Sequence, residues 1–121
     1  MALEDNVCTL VPYFTVQSGK LEEFKALGEQ MVARTKTEKD CAFYGFSFNG
    51  DQAHCREGYG SAEGILAHLE NVDALLKQAL AIASLDKLEV HAPAAEIEKL
   101  KEPLAALSPA YFTMETGFRN G

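Results

Sequence analysis

Hydrophobic and polar residues alternate along this chain with two periods, about two residues and about 3.6 residues. The two-residue period, rich in β-branched and aromatic side chains, predicts five strands at Val7–Val16, Cys41–Asn49, Gln52–Tyr59, Leu85–His91 and Ala110–Phe118. The longer period predicts a helix that follows Ser18-Gly19 and ends near Glu38, a helix from Ser61 to about Glu70 with a continuation to about Ala83, and a helix over Ala94–Glu102.

The second and third strands are separated by a turn sequence. Asn49-Gly50 is typical of a type I′ turn, because both residues tolerate the positive φ that this turn requires. A hairpin built on this turn sets Gly45 opposite His54 and Phe43 opposite Arg56. Gly45 would then leave open space beside His54, which is either a ligand slot or an irregularity of the sheet.

Capping residues and prolines mark the other boundaries. Ser61 predicts the N-cap of the second helix, and Asn71 predicts a cap for its continuation. Pro12 cannot donate a ladder hydrogen bond, so we expect a bulge or broken pairing within the first strand. Pro103 is expected to end or kink the last helix.

The order of the elements is β-α-β-β-α-β, followed by an additional helix and strand. The first six elements are those of the split βαβ, ferredoxin-like fold, an α+β fold with an antiparallel sheet. The 121 residues contain no repeat, linker or low-complexity segment. We therefore expect a single domain over residues 1–121.

Both faces of the predicted sheet carry large apolar side chains. Phe43 points away from Tyr44, Phe46 and Phe48, and apolar residues alternate on both sides of the first strand as well. Burial of each such side chain stabilises a fold by roughly 1.5–3 kcal/mol, so an exposed face would forfeit much of a domain's stability. We therefore expect a homodimer whose second copy covers this face, with the last strand as a candidate for edge pairing.

Composition narrows the functional class. The formal net charge is −7 and the basic residues are scattered, which disfavours nucleic-acid binding. No apolar run approaches the roughly 20 residues of a membrane helix. The N-terminal segment MALEDNV is acidic and lacks the features of a signal peptide, so a cytoplasmic protein is expected.

Cysteines and histidines give little indication of a metal site. Cys8, Cys41 and Cys55 are widely spaced without a CxxC motif, and nothing in the sequence requires a role or a disulfide for them. His54 and Cys55 point to opposite faces of a regular strand and cannot chelate together. The hydrolase motif GxSxG, the P-loop and the dinucleotide motif GxGxxG are all absent from the sequence.

His68 is the first candidate for a functional side chain. It lies at the flank of the apolar arc of the second helix, where the helix meets the sheet, and could serve as a general base or hydrogen-bond partner. The alternative is a half-buried histidine that bonds a backbone carbonyl. His54 and Arg56 share one face of the third strand, where Arg56 or Glu57 could equally belong to a structural ion pair.

Two segments carry a resemblance to a known family. They are PYFTVQSGKLEEFKALGEQMVARTKTEKDCAFYGFSF and HCREGYGSAEGILAHLEN, with Gly19-Lys20, Glu57-x-Tyr59 and Ala67-His68-Leu69 as the characteristic steps. Over about residues 7–90 the chain resembles the antibiotic biosynthesis monooxygenase family of dimeric α/β barrels. The helix at Ala94–Glu102 and the last strand look like an extended C-terminus.

The resemblance implies a chemistry. It is the oxygenation of a phenolic or quinol-type aromatic molecule by O2, without metal or flavin, in an apolar pocket between helices and sheet. His68 would be the catalytic polar residue, and Tyr44, His54 and Arg56 would bind the substrate.

The resemblance also has departures and rivals. Family members often have Trp at the position of Tyr59. The haem-degrading branch relies on an Asn, a Trp and a His. This chain has Pro12, His68 and Gln78 at those three positions, so none of the three residues is retained. Haem degradation is therefore not expected. A non-enzymatic ligand-binding or stress-related barrel protein, and an isomerase or decarboxylase with a histidine base, remain as alternatives.

Overall fold

The computed structural model describes residues 3–121, so Met1 and Ala2 of the segment MALEDNV lie outside the described residues. The elements in chain order are β1 (Leu3–Glu4), β2 (Cys8–Val16), α1 (Leu21–Thr35), β3 (Cys41–Asn49), β4 (Gln52–Tyr59), α2 (Ala62–Asn71), α3 (Asp73–Leu80), β5 (Ala83–Ala92), α4 (Ala94–Leu100), a 3-10 turn (Ala105–Leu107), β6 (Ala110–Thr113) and β7 (Gly117–Phe118).

The strands form a five-stranded sheet in the order β3-β4-β2-β5-β6, and β1 pairs with β7 in a separate ribbon. All neighbours in the large sheet are antiparallel except β5 and β6, which are parallel. Within residues 3–121 the four α-helices pack on one face of this sheet, here called the inner face. The ferredoxin-like α+β fold with a C-terminal helix and strand is confirmed.

The core between helices and sheet consists of two clusters. One includes Leu10 and Val90 of the sheet with Ile65 of α2 and Leu100 of α4. The other includes Phe14 and Phe24 with residues of α1 and α3. The opposite face of the sheet, here called the outer face, is open, and Phe112 on it is 49% exposed.

The predicted hairpin register is wrong by two residues. Asn49 pairs with Gln52 and Gly45 pairs with Arg56, so Gly50 and Asp51 form the turn. Gly50 has φ +62° at the first central position, where a type II′ turn also places glycine. Gly45 therefore does not lie opposite His54.

Other local predictions had mixed outcomes. Pairing of β2 with β4 is interrupted at Val11 and Pro12, and its register with β5 shifts between Tyr13 and Phe14, as expected beside a proline. The side chain of Asn71, by contrast, does not cap α3. It bonds to the C-terminal end of α1 instead.

The C-terminal strand also differs from the prediction. It is broken into β6 and β7, because β6 pairs with β5 while Gly117 and Phe118 pair with the N-terminal residues Leu3 and Glu4. One edge of β6 is thus occupied within the same chain. Among the described residues, no helix has the length and apolar character needed to cross a membrane.

Candidate active site

The start of α2 sets the position of His68. Ser61 accepts a hydrogen bond from the amide of Gly64 (3.2 Å) and donates one to Asp40 Oδ2 (2.6 Å). A Cβ on Gly60 or Gly64 would overlap with the Asp40 carboxylate, so a larger residue at either position would have to displace that side chain from Ser61. The predicted Ser61 cap is confirmed, and it directs the histidine two turns later toward the sheet.

Strand β4 supplies a carboxyl group beneath that histidine. Glu57 lies on the inner face between Cys55 and Tyr59, and it is only 4% exposed. The Tyr59 hydroxyl donates a hydrogen bond of 2.6 Å to Glu57 Oε1. A buried carboxyl group of this kind is expensive unless it is neutral or well partnered, so its presence points to function.

His68 lies between two carboxyl groups. Its Nδ1 is 3.0 Å from Glu38 Oε2, and its Nε2 is 3.5 Å from Glu57 Oε1. A carboxylate accepts but does not donate, so Nδ1 is the protonated nitrogen when Glu38 is ionised. In that tautomer the unprotonated Nε2 faces Glu57.

Glu38 is held at the edge of the site. The side-chain amide of Asn71 donates to Glu38 Oε2 (2.8 Å), and Arg34 in turn binds the backbone and side-chain oxygens of Asn71 at 2.9 and 3.1 Å. The side chain of Glu38 is 11% exposed, against 2% for His68. The carboxylate therefore joins the buried histidine to the protein surface.

Burial controls the charges in this cluster. It raises the pKa of Glu57 to about 7, although the hydrogen bonds from Tyr59 and Cys55 act in the opposite direction. It lowers the pKa of His68 below the usual value, while Glu38 acts to raise it. At pH values below about 7 a protonated Glu57 therefore faces an uncharged His68, and the pair loses that proton as the pH rises through about 7.

Burial also raises the pKa values of the hydroxyl and thiol groups nearby. Desolvation is the main cause for Tyr44, Cys55 and Tyr59, and the carboxyl of Glu57 adds to it. These groups therefore remain neutral hydrogen-bond donors. The acid–base capacity of the cluster rests on Glu57 and His68.

A narrow apolar cavity reaches this cluster between the two halves of the core. Its volume is about 50 Å³, enough for about three water molecules. The lining is Leu10, Pro12, Phe14, Phe24, Met31, Tyr44, Phe46, Cys55, Glu57, His68, Leu69, Val72, Leu76, Ala79, Leu80, Leu85, Leu88 and Leu107. Ligand sites usually measure about 300–1,000 Å³, so a substrate must displace some of the lining side chains. Leu80 is a candidate for such a displacement, because it is 38% exposed.

The residues selected from the sequence fall on two faces. His68 and Tyr44 line the cavity together, with ring centroids 4.9 Å apart. His54 and Arg56 lie on the outer face, where His54 stacks on Tyr13 at 4.7 Å. They do not line this cavity, because side chains alternate across a strand.

Glu57 and Glu38 were missed as site residues. Glu57 shares a face with the apolar Tyr59, and that alternation could have indicated an inward carboxyl group. Glu38 follows the end of α1, where no periodicity predicts its direction. The alternative for His68 was a hydrogen bond to a backbone carbonyl. The structure differs from it, because Nδ1 faces the Glu38 carboxylate. Among residues 3–121, no three His, Cys, Asp or Glu side chains converge as metal ligands.

Known structures resemble this chain over most of its length. MupZ from Pseudomonas fluorescens is 42% identical, with 96% of each chain covered and a TM-score of 0.91. The chain belongs to the same family as MupZ. No protein-family profile matches the sequence, and no curated protein matches it significantly.

The fold of the MupZ family extends to more distant structures. A candidate antibiotic biosynthesis monooxygenase from Nitrosomonas europaea is 13% identical, with 78% of this chain and 96% of that chain covered and a TM-score of 0.69. A similar candidate from Caulobacter crescentus is 17% identical, with 73% and 88% covered and a TM-score of 0.62. These likenesses confirm the fold of the antibiotic biosynthesis monooxygenase family that the sequence resembles.

Proposed function

We propose that this chain is an enzyme in which Glu57 and His68 move a proton to or from a small, largely apolar substrate. The observation that carries the proposal is the buried Glu57, whose pKa of about 7 suits proton transfer near neutral pH. A carboxyl group with a raised pKa in an apolar site is a common arrangement for a general acid. His68 is the group that exchanges a proton with it.

The lining of the cavity favours an uncharged substrate. Neither Lys nor Arg is among its lining residues, and its polar groups are confined to Tyr44, Cys55, Glu57 and His68. A substrate anion would lie near two carboxyl groups without a cation to neutralise it. Aromatic side chains at Phe14, Phe24 and Phe46 suit a planar ring.

The first candidate reaction is a cofactor-independent monooxygenation of a phenolic or quinol substrate by O2. The Glu57–His68 pair would remove the hydroxyl proton, Tyr44 would orient the ring, and the substrate anion would reduce oxygen. One oxygen atom would enter the ring and the other would leave as water. The family fold supports this reaction, and no metal or flavin is needed for it.

The test is oxygen uptake by metal-free protein with naphthohydroquinone, measured against buffer alone. Glu57→Gln should reduce the enzymatic rate by about 10²–10⁴-fold, and His68→Ala should also lose activity. The matched control is Glu89→Gln, a carboxyl on the outer face. Unchanged turnover in Glu57→Gln and His68→Ala would contradict the site assignment. A ligand that binds without oxygen uptake would instead select a non-enzymatic binding or stress-related protein.

The second candidate is an oxygen-independent acid–base reaction such as an isomerisation or decarboxylation. It is favoured by the missing cation, because a neutral acid and a neutral base can act in concert without accumulating an anion beside Glu38 and Glu57. Product formation from the same aromatic compounds under strict exclusion of oxygen would support it. Complete loss of turnover without oxygen would support the oxygenase.

We also propose that a second copy of the chain covers the outer face. Tyr13 and Phe112 on this face are 37% and 49% exposed, and Val11 and Phe43 extend the apolar area. Light scattering at micromolar concentration should give the mass of a dimer, and a compact monomer would reject the proposal. A cytoplasmic location remains an expectation from the sequence.

A further inference from the structure

The buried acid–base pair needs a connection to water, and the structure offers one through Glu38. Glu57 and His68 are 4% and 2% exposed, whereas the Glu38 side chain on the far side of the imidazole is 11% exposed. We propose that Glu38 is a positioning residue that fixes the tautomer of His68 and exchanges protons between His68 and solvent. The inference rests on the proposed acid–base role of the Glu57–His68 pair.

The geometry assigns one carboxyl group to each ring nitrogen. Glu38 Oε2 is 3.0 Å from Nδ1, and Glu57 Oε1 is 3.5 Å from Nε2. When Glu57 gives its proton to Nε2, the Nδ1 proton passes to Glu38, and the imidazole stays neutral. The negative charge thereby moves from Glu38 to Glu57, and the reverse transfers return it to Glu38 at the edge of the site.

Glu38 is positioned by neutral donors rather than by an opposite charge. Asn71 donates to Glu38 Oε2 at 2.8 Å, and Arg34 holds Asn71 instead of reaching the carboxylate. A direct ion pair would compete with His68 for the negative charge. The arrangement leaves that charge directed at the imidazole.

The other groups that face the pair are neutral. Tyr44 and Cys41 come from β3, and Cys55 and Tyr59 come from β4, with Thr35 of α1 lying 3.5 Å from Nδ1. Thr35 donates its own hydroxyl proton to the carbonyl of Met31 at 2.7 Å. Glu38 is therefore the anion from which a charge effect on His68 is expected.

The test is nitrogen NMR of the full chain labelled at histidine, which reports the tautomer of His68, its titration and the exchange of its ring proton. In the unmodified protein we expect the proton on Nδ1 near neutral pH. Glu38→Gln keeps an oxygen that accepts from Asn71 and His68, but it removes the charge. It should lower the pH midpoint of the pair and slow exchange of the ring proton with water by about 10²-fold.

Controls separate charge from packing. Glu70→Gln changes an exposed carboxyl group on α2, the helix that carries His68. It should leave the pH midpoint and the exchange rate of the ring proton unchanged. Glu38→Asp keeps the charge, so its pH midpoint should lie closer to that of the unmodified protein than the midpoint of Glu38→Gln does. The proposal is overturned if Glu38→Gln has the midpoint and exchange rate of the unmodified protein, or if the proton resides on Nε2. Titration that responds to Glu38 while Glu57→Gln leaves turnover intact would instead reject only the proposed function.

Discussion

The two faces of the sheet use similar side chains for different purposes. On the inner face, His68 and Tyr44 lie in an apolar cavity with the buried carboxyl group of Glu57. On the outer face, His54 stacks on Tyr13, and Arg56 lies 4.3 Å from the centre of the Phe43 ring. Both faces combine histidine, tyrosine, phenylalanine and a charged residue, so composition alone does not distinguish them.

Desolvation separates the two faces. Glu57 on the inner face has its pKa raised to about 7 by burial, whereas Glu89 on the outer face is partly buried beside a lysine and has its pKa lowered by its hydrogen bond to Lys87. A glutamate carboxyl group therefore titrates near neutral pH on the inner face and stays ionised at neutral pH on the outer face. The raised pKa on the inner face depends on the helices that cover it.

The largest contrast should come from matched phenylalanine truncations. Phe24→Ala removes a ring that is 2% exposed and packs against Phe14 at 5.5 Å, and it should cost about 3–5 kcal/mol of unfolding free energy. Phe112→Ala on the outer face, where the ring is 49% exposed in a single copy of the chain, should cost about 1 kcal/mol or less at a protein concentration low enough to dissociate the proposed dimer. Urea unfolding at equal protein concentration measures both. Equal losses would show that the outer face is as well buried as the core, as a tight dimer would make it.

The next largest difference is expected between Glu57→Gln on the inner face and Glu89→Gln on the outer face. It concerns the way in which the free energy of unfolding changes with pH. The pKa of Glu57 rises from 4.5 to about 7 on folding, so its contribution is most favourable below 4.5 and is lost as the pH rises through 7. Glu57→Gln removes this loss. Its stability relative to the unmodified protein should therefore increase by up to about 3 kcal/mol between pH 5 and pH 8.

The stability of the variant must be compared with that of the unmodified protein, because the titration of His68 changes stability with pH in the direction opposite to that of Glu57. The pKa of His68 is lowered on folding, so its contribution improves as the pH rises toward the unfolded value. The control Glu89→Gln should show a constant difference over the same range, since its lowered pKa acts only at more acidic pH. A flat difference for Glu57→Gln would contradict a raised pKa.

Removal of one hydroxyl group tests the partner of Glu57. Tyr59→Phe leaves Glu57 without its 2.6 Å donor and should cost about 1.5–3 kcal/mol. Because the hydrogen bond lowers the pKa of Glu57, the variant should also titrate above about 7 in carbon NMR of the carboxyl group. Tyr13→Phe on the outer face should change neither measurement. An unchanged midpoint in Tyr59→Phe would mean that the hydroxyl group does not act on Glu57.

The fold could be predicted from the sequence because its local rules agree. Alternation located β3 and β4 to the residue, and Ser61 marked the start of α2 correctly. The hairpin register failed because Asn49-Gly50 and Gly50-Asp51 both satisfy turn preferences, and the sequence does not decide which glycine position the turn adopts. Local chemistry identified the turn but left two registers open.

The site was predictable only in part, for a reason of tertiary structure. Periodicity placed His68 where α2 meets the sheet, but the choice among His54, Arg56 and Glu57 depends on which face the helices cover. That choice is made by packing between distant elements. Glu38 reaches His68 across 30 residues of sequence, and no local pattern encodes such a contact.

The smallest expected effect comes from Arg56, the immediate neighbour of Glu57 in the chain. Arg56→Gln removes a cation from the Phe43 ring and should cost about 0.5–1 kcal/mol. Since its side chain lies across the sheet from Glu57, the midpoint of Glu57 in carbon NMR should stay at about 7. Arg56→Lys, which keeps the charge, should recover part of the stability. A midpoint that moves in Arg56→Gln but not in Arg56→Lys would show that charge on the outer face acts through the sheet, and the two faces would then form one electrostatic unit.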